Sequence, residues 1–174
     1  MIDMPPTDGL GGVCDTGSGP LLDNGSLLIT GGTGFVGRWL LAALSEMVVE
    51  KRISQEVLLV TRHEDLVPTL SKSLTSRLSL KAISPSDIRN LNRGEISAVA
   101  HLAAYTGTQT LQHGYLTFEA DTGILLDISR VLERIGSTPK MLYASSGAVY
   151  GRNRRQAAPP SEDEHFALPS SLRV

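Results

Sequence analysis

The chain has 174 residues, of which 41% are hydrophobic and 20% charged, with a formal net charge of -2, so one domain with a sizeable core is expected and no nucleic-acid partner. Its single cysteine, Cys14, excludes an internal disulfide and a multi-cysteine metal centre, and no metal is expected. No apolar run approaches the roughly 20 residues of a membrane helix, and the opening residues, with Asp3, Pro5, Pro6 and Asp8, lack the basic and apolar regions of a signal peptide. The expectation is a cytoplasmic protein with no membrane partner.

Residues 1–25 read as a disordered segment, because the stretch from Gly9 to Gly19 is rich in glycine and has little to bury. Ser26–Thr30 is a short apolar run ending in glycines and predicts a buried strand. A helix follows, with Val36, Leu40, Ala43, Leu44 and Met47 spaced to share one face. Glu56–Thr61 predicts a second buried strand, which completes a βαβ unit. Glu64–Ser76 predicts a weaker helix limited by Pro68, and Leu78–Ala82 a third strand. Pro85 fits the first turn of a short helix after Ser84. Ala98–Leu102 predicts a fourth strand, residues 113–135 the longest helix, with Leu116, Ala120, Ile124, Ile128, Val131 and Leu132 on or near one face, and Gly136 its stop. Met141–Ser145 predicts a fifth strand. Strands alternating with helices predict an α/β fold with a doubly wound parallel sheet covered on both faces. The pattern ends near Gly151, which gives one α/β domain over 26–151 and an irregular tail over 152–174.

The segment from Thr30 to Arg38 reads TGGTGFVGR. Gly31, Gly34 and Gly37 recur every third residue between a strand and a helix. That spacing suits a tight turn at Gly31, close approach of a pyrophosphate at Gly34, and close helix–strand packing at Gly37. The helix start offers amide N–H groups and the positive end of its dipole to phosphates. Arg38 opposes that dipole but suits a bound anion. The strand–turn–helix context is what this motif requires; the alternative is a glycine-rich turn that binds nothing.

Two further motifs lie at predicted strand ends: HLAA over His101–Ala104 and SSGAVYG over Ser145–Gly151. With TGGTGFVG, they make the chain resemble the extended short-chain dehydrogenase/reductase family, the NAD(P)-dependent sugar epimerases and dehydratases, over about residues 26–165. The resemblance implies a Rossmann-type fold and a nicotinamide dinucleotide held by Gly31, Gly34, Phe35, Val36 and Gly37. It implies that Asp87 and Ile88 lie beside the adenine, and that Leu102, Ala103 and Ala104 line the cofactor channel. It further implies that Ser146 is the catalytic Ser/Thr, bonded to the reacting hydroxyl or carbonyl oxygen, and that a nucleotide sugar is the substrate. Taken alone, Ser146 reads as a cap or turn former, and His101 as a packed strand-end residue rather than a base. Where the family often carries an asparagine on the long helix, this sequence has Phe118, with Asp121 nearby.

NAD-preferring Rossmann domains place an acid near the tip of the second strand. Here the tip reads Val60-Thr61-Arg62-His63. An arginine there suits a 2′-phosphate, which leans the expectation toward NADP. The alternative is a solvent-facing Arg62, with Glu64 or Asp65 reaching a ribose.

The family's chemistry needs a tyrosine and, four residues later, a lysine, and no Tyr-x-x-x-Lys occurs in these 174 residues. Pro160–Glu164 and Pro169–Ser171 resemble the approach to that tyrosine, where Leu172 stands. The expectation is an oxidoreductase domain truncated before its Tyr/Lys helix and substrate domain, and catalytically incomplete. The alternatives are a non-catalytic NADP-binding sensor or interaction module, or half of a site completed by another chain. An uncovered sheet edge would favour marginal stability and self-association.

Overall fold

Why five short apolar segments pair side by side follows from their composition. Strands buried on both faces must be apolar at consecutive positions, and such strands build parallel sheets flanked by helices. The computed structural model describes residues 25–49, 56–70, 77–91, 96–104 and 114–146. Most of the predicted disordered segment and all of the 152–174 tail lie outside them. In chain order the elements are β1 (Ser26–Thr30), α1 (Phe35–Val49), β2 (Val57–Val60), a 3-10 turn (Glu64–Thr69), β3 (Leu80–Ile83), a second 3-10 turn (Pro85–Asn90), β4 (Ile96–His101), α2 (Gly114–Ile135) and β5 (Lys140–Tyr143). All pairings are parallel, in the order β3-β2-β1-β4-β5. The chain reverses direction across the sheet between β1 and β4, the switch point at which such folds bind ligands.

Alternation along the strands divides the core in two. Leu27, Ile29, Val57, Leu59, Ala98 and Ala100 pack with Leu41, Leu44 and Met47 of α1. Leu28, Leu58, Val60, Ile83 and Val99 pack with Ile128 and Val131 of α2 and with Ile88 of the second 3-10 turn.

The face of α1 differs from the prediction. Its buried residues include Gly37, Leu41, Leu44, Ser45 and Met47, whereas Val36 is 60% exposed. Gly37 sets this rotation: a Cβ there would lie 2.4 Å from the Gly31 carbonyl oxygen, so the stripe through Gly37 and Leu41 is the one that meets the sheet. In α2 only the second half is buried, and Leu116 is exposed. Of the predicted helix over 64–76, Glu64–Thr69 is a 3-10 turn, and residues 71–76 lie outside the described residues.

The stop at Gly136 is as expected. Gly136 has φ +67°, the Ser137 amide donates to the Leu132 carbonyl, and the Gly136 amide donates to that of Glu133, a Schellman cap. Ser137 Oγ then donates to the Ile96 carbonyl at 2.7 Å, so the cap also ties the helix end to the start of β4.

The chain divides into two compact units, Met1–Tyr143 and Ala144–Val174. In the second, Ala144–Ser146 is exposed and without regular structure.

Candidate functional site

The C-terminal ends of β1, β2 and β4 open into a cleft of about 240 Å³. Its floor is the turn after β1. Gly31 adopts φ +72°, and a Cβ there would fall 2.6 Å from the Ala103 nitrogen, so the turn needs glycine for both conformation and space. The Gly34 amide donates to the Gly31 carbonyl at 3.0 Å, and Arg38 makes the first helical bond back to Gly34. The amides of Phe35, Val36 and Gly37 therefore precede the hydrogen-bonded ladder of α1. Among the described residues, a Cβ on Gly34 would meet only the Gly31 oxygen, at 3.2 Å, so the backbone is open to a ligand there. The Arg38 Nε donates to the Thr33 carbonyl at 2.9 Å, which buttresses the loop from the helix side.

One wall is Val60, the last residue of β2, with Thr61, Arg62 and His63 after it, and the other is Leu102, Ala103 and Ala104, following β4. Thr61 is buried and accepts a hydrogen bond from the His63 amide, which fixes the bend that leaves Arg62 exposed. Pro85, Asp121 and Ile124 complete the lining.

Beneath the floor, the last residues of β1 and β4 are paired. Thr30 Oγ1 lies 2.9 Å from His101 Nδ1 and accepts a hydrogen bond from the Ala103 amide at 3.2 Å. The His101 ring also stacks on Tyr143 at 5.4 Å. Burial holds the His101 pKa below its ordinary value, against a smaller opposing pull from the Asp121 carboxylate. With its ring stacked on Tyr143 and Nδ1 engaged by Thr30, His101 is a packing residue that ties β1, β4 and β5 together.

The structure thus brings Gly31, Gly34, Arg62, Leu102, Ala103 and Ala104 to one cleft. Other candidates fall elsewhere. The side chains of Phe35 and Val36 are exposed at the start of α1, while Gly37 is buried against the loop. Ile88 is fully buried in the core on the α2 face. Asp87 lines a second groove with Lys81, Ser84 and Glu64, so it is Pro85 that carries the loop after β3 into the cleft. Ser146 belongs to the second unit. The sequence reading set Phe118 at the family's asparagine position, yet Phe118 is exposed and Asp121, one turn on, reaches the cleft. No group of three or more His, Cys, Asp or Glu side chains among the described residues could hold a metal ion, and no helix among them is long and apolar enough to cross a membrane.

Comparison with known proteins gives the same architecture. UDP-glucuronate 4-epimerase 1 of Arabidopsis thaliana is 29% identical over 158 residues, an alignment covering 84% of this chain and 35% of that protein. The UDP-N-acetylglucosamine 4-epimerase of Methanobrevibacter ruminantium M1 superposes with a TM-score of 0.61 at 20% identity, covering 83% of this chain and 44% of its own. A UDP-glucose 4-epimerase from Stenotrophomonas maltophila, solved with bound NAD and formylated UDP-arabinopyranose, superposes with a TM-score of 0.60 at 18% identity, covering 82% and 42%. At these identities the structural likeness establishes the fold, and the chain spans less than half the length of these relatives. The profile of one family runs over residues 27–171, from β1 through the glycine turn and every strand of the sheet; the chain belongs to the NAD dependent epimerase/dehydratase family.

Proposed function

We propose that the cleft binds a nicotinamide dinucleotide, and that the chain is the cofactor-binding part of an epimerase/dehydratase-type oxidoreductase acting on a nucleotide sugar or a related carbonyl or hydroxyl substrate. The observation that carries this reading is Gly34. Its position would leave a Cβ facing almost nothing of the protein's own, beside the first amides of α1 and on the cleft floor. A pyrophosphate fits that opening, with the amides of Phe35, Val36 and Gly37 as donors. The apolar surfaces of Val60, Leu102 and Ala103 suit the rings of a dinucleotide. When bound, the cofactor supplies a hydride acceptor or donor.

Arg62 sets the cofactor preference in this proposal. It is exposed at the cleft wall after β2, with Thr61 where an NAD-selective acid would stand. A guanidinium there pairs with a 2′-phosphate, which favours NADP over NAD. Ser146 is the proposed hydrogen-bond donor to the reacting oxygen, on the resemblance of its motif. The side chains of Met141, Leu142 and Tyr143 on β5 are about half exposed, which supports self-association of the chain along that edge.

The alternative reading is a nucleotide-binding module without turnover. Fluorescence titration of the purified chain with NADPH and NADH tests the shared element. Saturable binding with NADPH tighter supports the site and the role of Arg62. Equal binding of the two removes Arg62 from that role. Binding of neither by a folded chain overturns the reading. The two readings part at turnover: only the first predicts that the nucleotide-loaded chain, once supplied with a segment carrying Tyr-x-x-x-Lys, changes nicotinamide absorbance on addition of a nucleotide sugar.

A further inference from the structure

One buried hydroxyl stands between the cleft and a titratable ring. Thr30 Oγ1 accepts a hydrogen bond from the Ala103 amide at 3.2 Å and lies 2.9 Å from His101 Nδ1. Ala103 lines the cleft on the β4 side, and its nitrogen is the atom a Cβ on Gly31 would strike, at 2.6 Å. The Thr30 hydroxyl therefore holds the β4 wall against the glycine turn. We infer that Thr30 is a positioning residue for the bound nucleotide and that His101 makes its action depend on pH: the wall is held while the ring is neutral and loosens when Nδ1 takes a proton, so nucleotide affinity falls in acid. This rests on the dinucleotide reading above and extends it to the regulation of that site.

The hydroxyl has one proton to give and two lone pairs to receive with. With Nδ1 unprotonated, that proton goes to the ring and a lone pair takes the Ala103 amide, so every bond is made. A proton on Nδ1 turns the ring nitrogen from acceptor to donor. The hydroxyl proton of Thr30, a fully buried residue, then has no acceptor among the described residues. Leaving it unmade is costly, and turning the hydroxyl to relieve that cost releases the Ala103 amide. Among the described residues, Tyr143 of β5 stacks on the His101 ring and Asp121 of α2 favours its charged form, while burial opposes that form and prevails. Thr30 of β1 carries no titrating group. The ring is thus neutral near pH 7 and takes its proton on the acid side. The sign of the effect is distinctive. A positive ring beneath the cleft floor would by itself attract an anionic nucleotide, so weaker binding in acid belongs to the hydroxyl and not to the charge.

The test titrates the full chain with NADP+, whose reduced form decomposes in acid, at pH 7 and pH 5, with melting curves at both to show that each protein is folded. From the first pH to the second, the parent should lose about threefold or more affinity beyond what His101→Asn loses. Asparagine offers the Thr30 hydroxyl an amide oxygen that takes up no proton. The 2′-phosphate of the probe and the other titrating groups act alike in both proteins and cancel. Thr30→Ser should follow the parent. Thr30→Val should bind more weakly at pH 7 and show only the dependence of His101→Asn; these two variants carry the same comparison if His101→Asn does not fold. Equal dependence in the parent and His101→Asn overturns the inference. So does the parent's dependence persisting in Thr30→Val, which would route the effect around the hydroxyl. Both results leave the dinucleotide reading intact. If the folded parent binds no NADP+ at pH 7, the dinucleotide reading falls and this one with it.

Discussion

Thr30 and His101, 71 residues apart in sequence, share a buried hydrogen bond of 2.9 Å at the cleft end of β1 and β4. Its direction can be deduced. Thr30 Oγ1 already accepts from the Ala103 amide and is fully buried, so its own proton needs an acceptor. His101 Nδ1 is the acceptor in reach. The imidazole is therefore neutral, with its proton on Nε2. One hydroxyl thus ties β1 to β4 and also fixes the Ala103 backbone, against which Gly31 packs.

Thr30→Val should separate that role from packing, because it keeps the shape and deletes the hydroxyl. The buried His101 Nδ1 and the half-buried Ala103 amide lose a partner, so a loss of about 2 kcal/mol of stability is expected. Thr30→Ser, which keeps the hydroxyl, should lose clearly less. Urea unfolding of the three proteins checks this; equal loss in both variants would mean that the methyl group, not the hydrogen bond, matters.

His101 also predicts a dependence on pH. Its folded pKa is lowered from 6.5, chiefly by burial, with Asp121 opposing. Above 6.5 the ring is neutral in both folded and unfolded chains and contributes nothing to the slope. As pH falls through 6.5, the unfolded chain takes up a proton that the folded ring resists, so stability falls, and it levels off below the folded pKa. Protonation would also place a proton on Nδ1, against the Thr30 hydroxyl. Melting temperature should therefore drop between pH 7 and 5 in the parent protein, with a shallower slope in His101→Asn. Parallel slopes would assign the pH dependence to other groups.

The sheet was legible because each central strand is a continuous apolar run, and a doubly buried strand can hardly look otherwise. Leu58 and Leu59 are both fully buried, on opposite faces. The glycine turn was legible because backbone geometry admits few residues there. The rotation of α1 was not, since apolar spacing allowed a face through Val36 and only the contact of Gly37 with the turn selects the face through Leu41. Asp121 entered the sequence reading only as a neighbour of Phe118, because a single acid on a helix carries no pattern, and what marks it is its place in the cleft lining. His101 was legible as a packed strand-end residue, but its bond to Thr30 was not. Their bond depends on the register that pairs the ends of β1 and β4, which sequence alone does not reveal.

Gly34 and Gly37 lie three residues apart and should fail in different ways when changed to alanine. At Gly37 the new Cβ would sit 2.4 Å from both the Gly31 oxygen and the Gly32 Cα, which are backbone atoms that cannot swing aside. Gly37→Ala should therefore cost about 3 kcal/mol or more in stability. At Gly34 the only neighbour among the described residues is the Gly31 oxygen at 3.2 Å, so Gly34→Ala should fold with little loss. Its methyl group would instead occupy the space proposed for the pyrophosphate, and nucleotide affinity should fall by about tenfold or more. Thermal melts paired with NADPH titration distinguish the two, and a Gly34→Ala protein with unaltered affinity would exclude Gly34 as the phosphate position.

Asp127 is the one acid buried within α2, and it joins the helix to the turn that supplies Pro85 to the cleft. Its Oδ1 lies 2.9 Å from Arg89 Nε on that turn and 3.4 Å from Arg130 one helical turn on. The carboxylate is nearly buried while both arginines are about two-thirds exposed, so water screens most of the attraction, and each pair is worth about 1 kcal/mol or less. Arg134 adds a hydrogen bond to the Leu91 carbonyl at the end of the same turn, which limits how far the turn can shift if Asp127 is altered. Asp127→Asn should thus lower stability by roughly 1 kcal/mol, by less in high salt, and leave nucleotide affinity within about twofold, since 1 kcal/mol shared over a doubly tied turn moves Pro85 little. Denaturation at two salt concentrations with a parallel NADPH titration checks both parts. A large loss of affinity with little loss of stability would show that the Asp127–Arg89 contact governs the position of the cleft wall rather than merely joining two elements.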